Sequence, residues 1–288
     1  DPLALAGALA LHLILAPFVI FYVGTRINAF AVQVHEGSHG LLFTNKRLND
    51  FFCNVAGAYW ALNDVGAYWR LHRDHHAFLH EDTDPDLGLY FLPDSRSRSI
   101  LRLLVEDAVG ISAAKRIHQY LFQSRRTQTQ SGASPVHALG KLGTLAAVFV
   151  LFVAVFGVWP GVLMFAAYWL APLFSVFPVL IRIRIVAEHY SDLLHEDLPR
   201  LFVSRTSVSN RIEEYLIGAQ MQYHMEHHLF PKMPYYQLVR FHRLLWKRGF
   251  FVSLGPESAQ AITGGSFHFW RTLLSHAKKP APASAQSA

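Results

Sequence analysis

Cysteine is almost missing: Cys53 stands alone among 288 residues. One thiol supplies neither a disulfide framework, nor a zinc ribbon, nor an iron–sulfur cluster, so Cys53 reads as a small buried hydrophobe. Charge is scarce as well, at 16% of residues against about a quarter in soluble domains. Hydrophobic residues make up 52%, and mean hydropathy is positive at +0.21. There is no G-x-G-x-x-G dinucleotide fingerprint, no haem-type His-Pro-Gly-Gly segment, no secretory signal with a cleavage site and no internal repeat. The net charge of +6 is not gathered in a nucleic-acid reader motif. Its Lys and Arg flank apolar runs instead, which points to the anionic face of a membrane rather than to nucleic acid.

The apolar runs are long. Residues 3–23 carry no formal charge and match a bilayer crossing of about 20 residues, with His12 and Pro17 as mild interruptions. The helical pattern continues past Arg26 into a histidine-rich segment. Residues 142–158 and 162–181 are two further crossings, with Trp159-Pro160-Gly161 read as the tight turn between them. The chain starts at Asp1 rather than Met, which leaves room for a crossing ahead of it, and residues 51–61 read as a re-entrant or interfacial piece. Of the 26 Lys and Arg, 24 lie between Lys46 and Arg126 or between Arg182 and Lys279, and the hairpin tip has none. The positive-inside rule places both stretches in the cytoplasm. Segments 100–122 and 235–250 are amphipathic, fit either for the membrane surface or for packing on the domain, residues 125–134 read as a polar loop, and residues 278–288 as a disordered tail.

What the chain has in plenty is histidine, 17 in all. Three clusters stand out: His35-Glu36-Gly37-Ser38-His39, His72-Arg73-Asp74-His75-His76 and His224-Met225-Glu226-His227-His228. Residues at i, i+3 and i+4 share a helix face, so each cluster can aim its imidazoles at one point. All three fall on the face that the charges assign to the cytoplasm. Neutral imidazole suits iron, copper, nickel or zinc, and eight such nitrogens exceed what one metal can hold, which implies two. The first cluster also spells H-E-x-x-H, a zinc-protease motif with Glu36 as general base, but that reading leaves both HxxHH triplets unused. A metal transporter would need polar groups deep in several crossings, and these crossings are nearly bare of them. Glu36, Asp74, Glu188 and Glu226 are candidates to orient the ligands from behind, each with a solvated surface carboxylate as its alternative. His12 reads as a hydrogen-bonded core histidine, His80 as part of a helix-ending turn, and His118, His137, His195, His242, His268 and His276 as ordinary.

The order HxxxH, HxxHH, HxxHH resembles the membrane fatty acid desaturase superfamily across residues 25–249. The likeness includes Asp84-Pro85-Asp86 after the second cluster and the run Y-H-M-E-H-H-L-F-P that ends at Pro231. It implies an all-α, multi-pass integral membrane protein with a cytoplasmic helical cap that carries the metal site. The cap would comprise about 44–137 and 182–277, within one domain over residues 1–277. It also implies a non-haem di-iron centre, two Fe ions, that uses O2 and reducing equivalents against an unactivated C–H bond. His35, His39, His72, His75, His76, His224, His227 and His228 would be ligands, and His189, just past the last crossing, a ninth; its alternative is a helix-end histidine.

The expected reaction is formation of a C=C bond in an acyl chain of unknown carrier, the chain threading near residues 166–183. Hydroxylation or ketolation of a lipid, carotenoid or other small molecule is the alternative. With no redox motif of its own, the chain would take electrons from a separate donor, such as a ferredoxin or a cytochrome with its reductase. Arg96, Arg98, Arg125, Arg126, Arg243, Lys247 and Arg248 are candidates for its docking, or for lipid head groups or an acyl carrier's phosphates.

Overall fold

The computed structural model describes residues 2–90, 96–122, 134–189, 204–207, 211–215 and 222–276. Among these every regular element is helical, with one isolated bridge between Thr206 and Tyr223. The tail expected at 278–288, most of the expected polar loop, His195, Arg125 and Arg126 lie outside the described residues.

The first six helices are α1 (Pro2–Ser38), α2 (Lys46–Ala56), α3 (Val65–Phe78), α4 (Leu87–Tyr90), α5 (Arg96–Ala108) and α6 (Ile111–Phe122). After them come α7 (Pro135–Phe156), α8 (Val158–Phe165), two π-helical turns at Ala166–Leu170 and Pro172–Val176, and α9 (Phe177–His189). The last are α10 (His224–Leu229), α11 (Tyr235–Lys247), α12 (Pro256–Thr263) and α13 (Ser266–His276). Two compact units result: Asp1–His72 with Glu106–Ile181, and Arg73–Val105 with Arg182–Ala288.

In the first unit three helical stretches are long and apolar enough to cross a membrane: Leu9–Ser38, Pro135–Phe156 and Val158–His189, the last ending in the second unit. Their membrane-length windows expose large apolar side chains. Leu13, Ile14 and Phe18 on α1, and Leu139, Leu142, Val150 and Leu151 on α7, are each 60% or more exposed. A contiguous apolar surface of that extent suits lipid and not water. Pro17 sits inside α1 without ending it. The chain reverses at Gly157, with φ +83°, so the turn lies ahead of Trp159-Pro160-Gly161, which form the first turn of α8. Pro160 there has no amide to satisfy, which is why a helix start tolerates it. A Cβ on Gly161 would come within 2.6 Å of the Val153 Cα, so a residue of this size lets α7 and α8 touch backbone to backbone.

Between α7, α8 and α1 lies an apolar cavity of about 960 Å³, lined in part by Leu15, Val19, Val148, Leu151 and Trp169. Among its lining residues the Tyr168 hydroxyl lies 3.0 Å from His12 Nε2. His12 is therefore hydrogen-bonded as expected but exposed, not a core residue.

The end of α1 is pinned to α2. Asn49, 1% exposed, donates to the Gly37 carbonyl at 2.7 Å and accepts from the amides of Leu42 and Phe43. Cys53 is fully buried, and a Cβ on Gly37 would fall 1.8 Å from its Sγ. Asp64 caps α3 by accepting from the Ala67 amide at 2.7 Å and holds Lys141 of α7 at 2.8 Å. The amphipathic segment expected at 100–122 is two helices, because Gly110 at φ +77° ends α5 before α6 begins.

The second unit packs on two apolar clusters. Tyr90, Ile100, Ile185, Val186, Ala187, Phe269 and Leu273 form one. Met225, Phe251, Ala259 and Ile262 form the other. Met225, fully buried, ties α10 into this second cluster.

Candidate metal centre

α10 is short, and on its six residues His224, His227 and His228 return to one side at the i, i+3, i+4 spacing. Within the second unit His224 and His228 converge with His75 of α3 and His189 at the end of α9. The candidate ligand atoms of these four all lie within 4.8 Å of one another, and all four residues are buried. His189 Nε2 is 2.8 Å from His224 Nε2 and 3.2 Å from His75 Nε2, and His228 Nε2 is 3.1 Å from His224 Nε2. In the same unit His76 Nε2 is 3.0 Å from His227 Nε2. In the first unit the ligand nitrogens of His35, His39 and His72 form a second group, with His39 Nε2 and His72 Nε2 3.0 Å apart. The ring of Tyr68 stacks on His72 at 5.2 Å.

The four-histidine set fits a metal on chemical grounds. His75 Nδ1 donates to Asp84 Oδ1 at 2.9 Å, so its Nε2 carries a lone pair, and that lone pair faces the cluster. Burial first, and then the neighbouring imidazoles, push the His228 pKa well below its ordinary value, and burial lowers that of His39 to about 4. These rings are neutral at pH 7. Imidazole nitrogens crowded at about 3 Å match the spacing around one ion with metal–nitrogen bonds of about 2.1 Å.

The carboxylates behind the rings sort differently from expectation. Asp74 faces outward and pairs with Arg73 at 2.8 Å, so it orients nothing. Glu226 is fully buried and accepts from His242 Nδ1 at 2.6 Å and from the Thr206 hydroxyl. Glu188 is buried, with Arg184 Nε at 3.3 Å and His224 Nε2 at 3.8 Å. Glu36 is 3% exposed beside His35.

Asp84 has the role that residue-by-residue reading missed. Besides His75 it accepts from the Tyr90 hydroxyl and from the amides of His80 and Asp86. Burial pushes its pKa up, but the hydrogen bonds from His75, Tyr90 and the Asp86 amide bring it below the usual carboxylate range. His80 ends α3 at φ +63°, turning the chain so that Asp84 comes back beneath His75. The only advance signal for Asp84 was the Asp-Pro-Asp stretch itself. His242 gave none: a histidine in an amphipathic helix looks ordinary until its partner is known.

The helices and the two histidine groups thus define an all-helical protein with membrane-length segments and nitrogen sets able to hold metal ions. The chain belongs to the fatty acid desaturase family, whose model matches residues 9–251. It is 24% identical over 244 residues to a dihydrorhizobitoxine desaturase from Bradyrhizobium elkanii, an alignment that takes in 78% of this chain and 66% of that one. The chain therefore spans just under two thirds of that relative's length. No solved structure matches it.

Proposed function

We propose that this protein is an O2-dependent di-iron oxidoreductase that withdraws two hydrogens from neighbouring carbons of an acyl chain to leave a C=C bond. The observation that carries the reading is the convergence of the Nε2 atoms of His75, His189, His224 and His228 in one buried set. These four are assigned to one iron. His35, His39 and His72 contribute to holding the second, and His76 and His227 complete the nine ligands. Bound irons supply oxidising power that no side chain possesses, as is needed against a C–H bond with no acidic proton.

The chain's own residues do the remaining work. Asp84 holds His75 in the Nδ1–H tautomer, and Glu226, anchored by Thr206 and His242, stiffens the turn that carries His224, His227 and His228. Burial of the four histidines at 8% exposure or less excludes water, and it holds the pKa of His228 well below the ordinary one. The three long helices are assigned to bilayer crossings, with both charged stretches on the cytoplasmic face by the positive-inside rule. The apolar cavity of the first unit falls within the range of about 300–1,000 Å³ typical of small-molecule sites and favours an apolar substrate. Electrons come from a separate donor protein.

A second reading concerns the substrate. The relative's printed name describes a desaturase of dihydrorhizobitoxine, so a small molecule other than an acyl chain is the alternative. Metal analysis of the purified protein and lipid profiling of cells expressing it with a reductase, against His227→Ala, separate these readings. Two irons per chain and new unsaturated acyl species support the first. A loaded site with an unchanged lipid profile supports the second. One zinc per chain, with activity abolished by Glu36→Gln, sinks both.

A further inference from the structure

α11 offers a surface of one charge sign. Arg240, Arg243 and Lys247 are exposed along it, Arg248 follows at its end, and the helix contains no Asp or Glu. Trp246, 43% exposed, lies among these cations. Its Nε1 donates to His242 Nε2 at 3.0 Å, and His242 Nδ1 lies 2.6 Å from Glu226 Oε1. Indole is only a donor, so His242 must accept at Nε2 and carry its proton on Nδ1, which it gives to Glu226. Phe251, fully buried, backs the pair with ring centroids 4.8 Å from Trp246 and 5.2 Å from His242.

A continuous chain of contacts therefore runs from a half-exposed aromatic ring inward to Glu226. That carboxylate is completely buried and is the residue immediately before His227. The direction of the hydrogen bonds says what such a chain can carry. Its outermost member is an indole N–H, which does not ionise near neutral pH, so no net proton can be passed inward through it. An aromatic ring joined by short hydrogen bonds to the turn bearing three candidate ligands suits electrons instead. The surrounding cations select the carrier: a protein whose docking face is acidic.

We propose that Trp246, His242 and Glu226 form the entry route for reducing equivalents from an acidic one-electron carrier protein docked on α11. The proposal rests on the di-iron reading above. Each transfer oxidises the carrier by one electron and reduces the metal centre by one; no bond in the relay forms or breaks. Trp246 and His242 are positioning residues, since neither touches the metals or the substrate.

The test uses the full-length iron-loaded protein in phosphatidylcholine nanodiscs and follows metal reduction by stopped-flow absorbance. The reductants are dithionite, a reduced acidic [2Fe–2S] ferredoxin and a reduced soluble cytochrome b5 domain. Trp246→Leu should keep its iron and its dithionite rate, yet be reduced severalfold more slowly by whichever carrier serves the wild type. Trp246→Phe, which keeps a ring, should recover part of that loss. Arg243→Glu with Lys247→Glu should lower the carrier rate by about tenfold at low salt, the difference closing as salt rises. Carrier rates unchanged in Trp246→Leu overturn the route. An equal loss with dithionite marks Trp246 as structural and overturns it too, as does reduction of the wild type by neither carrier. If charge reversal instead alters only the response to added phosphatidylglycerol, the surface is a lipid contact and the docking proposal fails. A wild type without iron refutes the underlying di-iron reading, a failure that metal analysis tells apart from these.

Discussion

Asp84→Asn is the substitution that most directly tests how the four-histidine set is held. The wild-type carboxylate takes four hydrogen bonds: from His75 Nδ1 at 2.9 Å, from the Tyr90 hydroxyl, and from the amides of Asp86 at 2.9 Å and His80 at 3.2 Å. Its neighbour Tyr90 is 1% exposed and belongs to the apolar cluster beneath the site, so lost acceptors there are not replaced by water. Asparagine keeps one carbonyl oxygen for His75 but sets an NH2 against the His80 amide, donor to donor. It also removes the charge that favours the Nδ1–H tautomer of His75. Loss of such a partner costs about 10–100-fold in metal affinity, or roughly 1.4–2.7 kcal/mol. Asn should fall at the low end of that range and Asp84→Ala at the high end. The assay is iron retained after equilibration against a graded series of chelator concentrations, with thermal unfolding of the metal-free protein as a control for general damage. If Asp84→Ala retained iron as tightly as the wild type, Asp84 would be a local turn residue and the account of His75 would be wrong.

Other outcomes follow from the same contacts. Gly37→Ala should destabilise the protein by about 1–3 kcal/mol, because its Cβ would fall 1.8 Å from Cys53 Sγ; adding Cys53→Ala should recover much of this in a thermal melt, and purely additive effects would refute the clash. Asp64 has its pKa lowered, burial raising it but Lys141 and the Ala67 amide more than offsetting that. With the folded value below the unfolded one of about 4, the stabilisation is fully present above pH 4 and lost as pH falls through the folded value. The melting-temperature gap between wild type and Asp64→Asn should therefore hold steady from pH 7 to about pH 5 and narrow below about pH 4; a gap that widens on acidification would contradict the ion pair. Metal loading should respond in the same direction at His39, whose folded pKa of about 4 keeps its ring neutral down to mildly acidic pH and lets it protonate only below that. Metal analysis after dialysis should find iron retained from pH 7 to about pH 5, and iron already lost at pH 6 would count against the burial of His39.

Much of the molecule was legible in the chain because the signals were local and periodic. The length of α1, and its continuation from an apolar run into the first histidine cluster, followed from hydropathy and helical spacing. Each histidine cluster announced itself through the i, i+3, i+4 rule, which depends only on helix geometry. The reversal between α7 and α8 was misplaced by a few residues because Trp-Pro-Gly carries a stronger turn signal than the lone Gly157 ahead of it. Proline is as welcome in the first turn of a helix as in a loop.

The sequence by itself thus determined the helices, the apolar lengths and the number of imidazoles, since these depend on composition and on spacing along one element. Only the tertiary structure decided which carboxylates serve them. Asp74 sits within the second cluster yet faces solvent, because helical rotation carries it to the other side of α3. Asp84, nine residues from His75, comes back through a left-handed turn at His80 to hold that ring. His242 reaches Glu226 from a different helix altogether. Hydrogen bonds between elements have no period in the chain, so the candidate ligands could be read from the sequence but the partners that aim their rings could not.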